Sequence, residues 1–146
     1  RGKTIQFVTD VVQELLPFNP SWIDVTAHSA GAYYSEKKPI IGGICHGVLG
    51  LIRAKNKEGG LLIQGRKMTG VTDKQITELG INLTPQHPET ELRKAGVIFQ
   101  SETRFTDIFA NLTVVDDEKR FVTGQNQNAG HETSYKIMNI LAKRGN

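Results

Sequence analysis

The chain is short of the covalent and ionic fastenings that hold many small proteins together. It carries one cysteine, Cys45, in 146 residues. An internal disulfide is therefore excluded, and with no Cys-x-x-Cys pair or His/Cys cluster there is no pattern for structural zinc. Of the four histidines, His28 and His87 have no second histidine or cysteine three or four positions on, and His131 falls where a terminal helix begins. All three read as surface or turn residues, so no metal and no organic cofactor is expected. No run approaches the roughly 18–20 apolar residues that span a bilayer, and the start, Arg1-Gly2-Lys3-Thr4, lacks the layout of a secretory signal. No membrane association is expected, and a lone thiol suits a reducing cytoplasm. Neither sign of charge dominates: 18 basic residues against 15 acidic ones give +3, and they are interspersed. That is a solvated surface, with no stripe to attract nucleic acid.

What is present is the mix of a globular domain, 38% hydrophobic and 23% charged with 15 glycines. The length suits a single domain over residues 1–146. Short apolar runs alternate with amphipathic stretches, the punctuation of an α/β protein. Strands are expected at Thr4–Thr9, Trp22–Ala27, Pro39–Cys45, Leu61–Gly65, Arg66–Thr69 and Val97–Gln100. Pro39 to Cys45 is almost continuously apolar, as in a strand buried on both faces. Helices are expected at Val11–Leu16, stopped by Pro17 and Pro20, and at His46–Lys55. A third, Asp73–Leu79, has Thr72 as its cap and Gly80 as its stop, and a fourth opens at His87-Pro88 and closes at Gly96. Leu112–Val115 and Arg120–Thr123 flank the turn Asp116–Lys119 as a hairpin, and Ala129–Arg144 is an amphipathic terminal helix.

The informative junction is Gly43-Ile44-Cys45-His46-Gly47, a G-x-C-x-G segment where a buried strand hands over to a helix. It is the thiol counterpart of the G-x-S-x-G nucleophile elbow. Such a turn strains the backbone at the nucleophile and needs small neighbours, which Gly43 and Gly47 supply. A sulfur at the start of a helix faces unpaired amides whose partial positive charge favours thiolate. The His46 amide is placed to help hold an oxyanion, and its ring can exchange a proton with the sulfur if it turns back. The competing reading makes Cys45 a small buried hydrophobe and His46 a cap.

Three segments together resemble the DJ-1/PfpI family, thiol members of the class I glutamine amidotransferase-like superfamily, and in particular its Hsp31-like branch. They are Ile41–Gly47 around the cysteine, Gly65–Asp73 with its Thr69-Gly70 step, and Phe121–Asn128 with Thr123-Gly124-Gln125-Asn126. They stand in the family's order and spacing from about Pro39 to the end. The resemblance implies a three-layer doubly wound, mostly parallel sheet of flavodoxin-like type, here without the family's first strand, since Thr4–Thr9 matches the second. Ser29–Tyr34 resembles the glycine-rich loop near the thiol and makes Gly31 the second oxyanion donor, but it runs into Lys37-Lys38-Pro39 without the family's intervening helix. The residues therefore read as joined pieces of a longer chain, incomplete at the front and around 34–38.

The resemblance further implies a cysteine that attacks carbonyl carbon. The expected activity is glutathione-independent conversion of methylglyoxal to lactate, or deglycation of a reactive carbonyl adduct, by thiolate addition from Cys45 with His46 as proton shuttle. The alternative is a stress-response chaperone or redox sensor; amidase or peptidase chemistry ranks lower. At the position of the branch's triad acid stands Ile76, which leaves Asp73 and Glu78 on the same helix as the candidate carboxylates. A true glutamine amidotransferase would need a spaced His-x-Glu pair, and His131-Glu132 is adjacent. The expected partner is a small carbonyl substrate, and a homodimer is open: Phe18, Trp22, Tyr33 and Tyr34 serve an interface or a core equally well.

Overall fold

The computed structural model describes residues 30–81, 84–107 and 110–144, together with the backbone of the strand at 5–8. Strands expected at Trp22–Ala27, the helix at Val11–Leu16 and the residues Phe18, Trp22 and His28 lie outside the described residues. Four strands form the main sheet: β1 (Ile5–Val8), β2 (Ile40–Ile44), β5 (Thr113–Val115) and β6 (Phe121–Gly124). Their order is β1-β2-β6-β5, with β1 and β6 both parallel to β2 and β5 antiparallel at one side. Two further strands, β3 (Lys67–Met68) and β4 (Ile98–Phe99), form a small parallel ladder. The protein is thus mixed α/β with a mostly parallel sheet.

A strand with parallel neighbours on both sides has no wet face, which is why β2 reads as Ile-Ile-Gly-Gly-Ile with no alternation. Successive side chains still point to opposite faces. Ile40 and Val122 meet Ile137 of the terminal helix α3 (Gly130–Arg144). Ile41 and Phe121 face the other way, into a larger core with Val48, Leu49, Met68 and Leu92. Leu92 belongs to α2 (Pro88–Lys94), which opens on proline at its first turn and has Glu89 and Glu91 at its positive end. The helix α1 (Asp73–Glu78) starts with a reciprocal cap: Thr72 Oγ1 accepts from the Gln75 amide at 3.0 Å, and Gln75 Oε1 accepts from the Thr72 amide at 3.2 Å.

Two expectations change. The segment after Cys45 is a 3₁₀ helix over Cys45–Leu51 in place of an α-helix reaching Lys55. Gly47 and Gly50 in seven residues remove the propensity that would sustain α geometry, and full burial of the segment favours the narrower coil. The expected strand Leu61–Gly65 is a series of turns, touching Lys55 only through the bridge at Leu61, and Gly65 leaves it at φ 78°. Leu62 and Ile63 are buried all the same, so their apolar character marked burial and not extension. Among the described residues no helix is long and apolar enough to cross a membrane.

Candidate active site

The register of the sheet places Cys45. Ile44, the last residue of β2, pairs with Gly124, the last of β6, so both parallel strands end together. The next residue on one side is the cysteine and on the other Gln125. Open α/β sheets bind ligands beyond such carboxyl ends. Cys45 itself has φ 55°, left-handed backbone that an ordinary side chain avoids at a cost of about 1–2 kcal/mol. The surrounding fold holds it there, as a nucleophile elbow requires.

The thiol and the neighbouring ring come together: Cys45 Sγ lies 3.5 Å from His46 Nδ1. Both residues are buried, Cys45 at 5% exposure and His46 at 6%. Val71 and Ile76 pack on Cys45, so the cysteine has aliphatic neighbours.

Two glycines of the flanking segments are there for space. A Cβ on Gly70 would stand 2.8 Å from Val48 Cγ2 and 3.3 Å from the Cys45 carbonyl oxygen. One on Gly124 would stand 2.7 Å from both the Ala129 and Ile44 side chains. The Thr69-Gly70 and Thr123-Gly124 steps are also joined directly, because the buried Thr69 amide donates to Thr123 Oγ1 at 2.9 Å. Together they wall the elbow on two sides.

The candidate acids are occupied elsewhere. Asp73 Oδ2 accepts from Thr90 Oγ1 at 3.0 Å and Oδ1 lies 3.3 Å from His87 Nδ1, tying α1 to α2. Glu78 accepts from the Asp107 amide at 2.6 Å and faces Lys74 at 3.8 Å. The structure therefore brings Cys45 and His46 together and gives Asp73 and Glu78 scaffolding contacts. Gly31 lies in the helical turn 30–34, on its exposed side, with open space where a Cβ would be. The glycines Gly43 and Gly47 flank the cysteine from buried positions.

Sequence reasoning missed a buried polar knot around Asp107 and Ala110. Gln75, 1% exposed, donates through Nε2 to the carbonyls of Asp107 (2.8 Å) and Ala110 (3.0 Å). Gln125, fully buried, closes a two-way pair with the backbone of Glu102, and Asn126 donates to the Ala110 carbonyl. Asp107 accepts from the Arg104 amide, Thr103 and Lys74, and these hold its carboxyl below the usual carboxylate range, the Arg104 amide first. Residues 102–107 and Ala110 are thereby anchored to α1 and to the end of β6. The Thr72-x-x-Gln75 spacing was the available signal for Gln75.

A cysteine on a left-handed turn, at the carboxyl ends of parallel strands and beside a histidine, defines a thiol-elbow α/β protein. Its fold is DJ-1/PfpI-like. Solved structures carry that statement. The Rapid Encystment Protein 24 KDa of Francisella tularensis is 23% identical over 87% of this chain and 52% of its own, with a TM-score of 0.70. A second crystal structure, whose protein carries no functional name, is 26% identical over 98% of this chain and 62% of its own, with a TM-score of 0.72. Glyoxalase III from Candida albicans is 24% identical over 81% of this chain and 52% of its own, with a TM-score of 0.55. The chain thus spans about half to three fifths of the length of these structures. No family model matches the chain, and no curated protein does.

Proposed function

We propose that the protein is a cysteine-dependent enzyme for small reactive carbonyls, a glutathione-independent glyoxalase of the Hsp31-like type that turns methylglyoxal into lactate, or a related deglycase. The observation that carries the reading is the left-handed Cys45 at the end of β2 with its sulfur 3.5 Å from His46 Nδ1. A structural thiol has no use for a strained backbone; a nucleophile does. Likeness in fold to a glyoxalase III agrees with it. The full domain in this reading is the three-layer doubly wound sheet of the family, acting in the cytoplasm.

The chemistry is redox-neutral overall. The Cys45 thiolate adds to the aldehyde carbon, and the new oxyanion is met by the amide of His46. His46 then carries a proton from the former aldehyde carbon to the adjacent one, leaving a thioester of lactate. Water cleaves the thioester and returns the thiolate. No cofactor takes part.

The test is methylglyoxal consumption and lactate release without glutathione, by the wild type and by Cys45→Ser. Turnover lost in the variant supports the reading, whereas turnover that survives refutes Cys45 as nucleophile. A second reading, a chaperone, draws on Phe105, which is 100% exposed on the 102–110 segment, with Ile98 and Leu79 also exposed. Suppression of aggregation that persists in Cys45→Ser while wild-type turnover is absent would favour it.

A further inference from the structure

At the opposite end of β6 from the thiol, a groove of about 440 Å³ opens between the β5–β6 hairpin and α3. Its floor is apolar, formed by Val115 and Ile140, which pack on the Ile40, Val122 and Ile137 core. Its rim is cationic: Lys119 from the hairpin turn, and Lys136, Lys143 and Arg144 from α3. The one carboxylate in the lining, Glu118, is engaged by Arg66 at 2.9 Å and by the Tyr33 hydroxyl at 2.7 Å. Lys136 faces Glu132 at 3.5 Å, and Arg144 donates to the carbonyls of Lys38 and Lys119. Among the described residues Lys119 and Lys143 enter no ion pair.

Lys143 and Arg144 have an ordinary reason to be where they are, since cations suit a helix C-terminus. Lys119 has none. It sits at φ 58°, in the left-handed position of a tight turn where glycine or asparagine is at ease, and its side chain is exposed. From that turn its side chain lines the groove.

We propose that this groove binds an acidic peptide segment of a partner protein that carries a large aliphatic side chain. Two uncommitted ammonium groups, Lys119 and Lys143, with Lys136 and Arg144 alongside, exceed what one carboxylate can use, so the ligand bears more than one negative charge; the Val115–Ile140 floor calls for an apolar anchor that a bare polyanion lacks. The site is separate from Cys45 and independent of the reaction there.

Fluorescence anisotropy of a labelled Glu-Glu-Leu-Glu-Glu peptide tests it on the full chain. Saturable binding is expected, weakened by salt, and weaker when serine replaces the leucine. Lys119→Gly and Lys143→Ala should each weaken it about twofold to fivefold, the range of a single exposed ion pair. Lys119→Gly should do so with its unfolding midpoint unchanged or raised, because glycine relieves the turn; a lysine with no part in binding would leave the affinity unchanged. Equal binding of the leucine and serine peptides, an unchanged affinity in Lys119→Gly, or no saturation at millimolar peptide would each overturn the proposal. Retention of phosphatidylserine vesicles without peptide binding would overturn it too, in favour of a membrane surface.

Discussion

Replacing Gly70 by alanine probes how the elbow is walled. The new methyl would lie 2.8 Å from Val48 Cγ2, closer than carbon atoms tolerate, and 3.3 Å from the Cys45 carbonyl oxygen. Val48 is wholly buried and branched at Cβ, so it has no free rotamer to retreat into. Overpacking of this kind costs about 1–3 kcal/mol. Against it stands a gain of about 0.4–1 kcal/mol, because alanine restricts the unfolded chain and Gly70 has no left-handed backbone to forbid it. The overlap wins, by a net of about 0.5–2 kcal/mol. The unfolding midpoint should fall by about 2–8 °C. The cheapest relief is for residues 69–71 to move outward, and Val71 then lifts from Cys45. If the whole net cost appears as local opening, alkylation of Cys45 by iodoacetamide should speed up about twofold to thirtyfold. A raised midpoint with an unchanged alkylation rate would show that Gly70 does not press on the elbow, and the account of the Thr69-Gly70 step would be wrong.

Gly31→Ala should do the reverse, raising the midpoint by the entropic gain alone, about 0.4–1 kcal/mol, and keeping turnover because the backbone amide survives; lost turnover would refute open space around Gly31. Asp73→Asn with Glu78→Gln should lower thermal stability through the α1–α2 and Asp107 contacts while leaving the kcat of methylglyoxal turnover within about threefold, well short of the 10²-fold or more lost with a proton-transfer partner; a hundredfold loss would make one of them the orienting acid. Asp107 is held below its unfolded value of about 4, so its contribution to stability is full above that pH and drains away as the pH falls through the folded value. Circular dichroism melts between pH 6 and 3 should therefore show a steeper loss for the wild type than for Asp107→Asn, at about one proton's difference in slope; parallel curves would refute the assignment. Phe105→Ser should shift stability by no more than about 0.5 kcal/mol, since the ring is fully exposed, and loss of aggregation suppression in that variant would favour the chaperone reading.

What the sequence made legible was local. The elbow stands out because Gly43 and Gly47 bracket Cys45 after an apolar run; the hairpin because Asp116 and the charges after it interrupt two β-rich stretches; α1 because Thr72 and Gly80 punctuate it. Each lies where sequence proposed it. The turns around Leu62 and Ile63 were misread because burial and extension look alike in a short apolar run. The 102–110 segment offered no period at all. Its order is imposed by Lys74, Gln75, Glu78 and Gln125, residues remote in the chain, and no window of neighbouring residues contains that information. The contacts of Asp73 and Glu78 with Thr90, His87, Asp107 and Lys74 were illegible for the same reason: a position on a helix does not say which way a side chain is claimed.

The parallel pairing of β2 with β6 also has a consequence in time. Cys45 leaves β2 early in the chain, yet the strand that fixes one flank of its turn comes only with Phe121–Gly124, after α1, α2 and the hairpin turn have been made. Contacts so distant in sequence form late in folding. On a ribosome the strained cysteine would exist, from its own synthesis until that of β6, as an ordinary, unstrained thiol open to oxidants, and would become a sheltered, histidine-paired one only when β6 docked. Shelter of the thiol thus comes with the docking of β6.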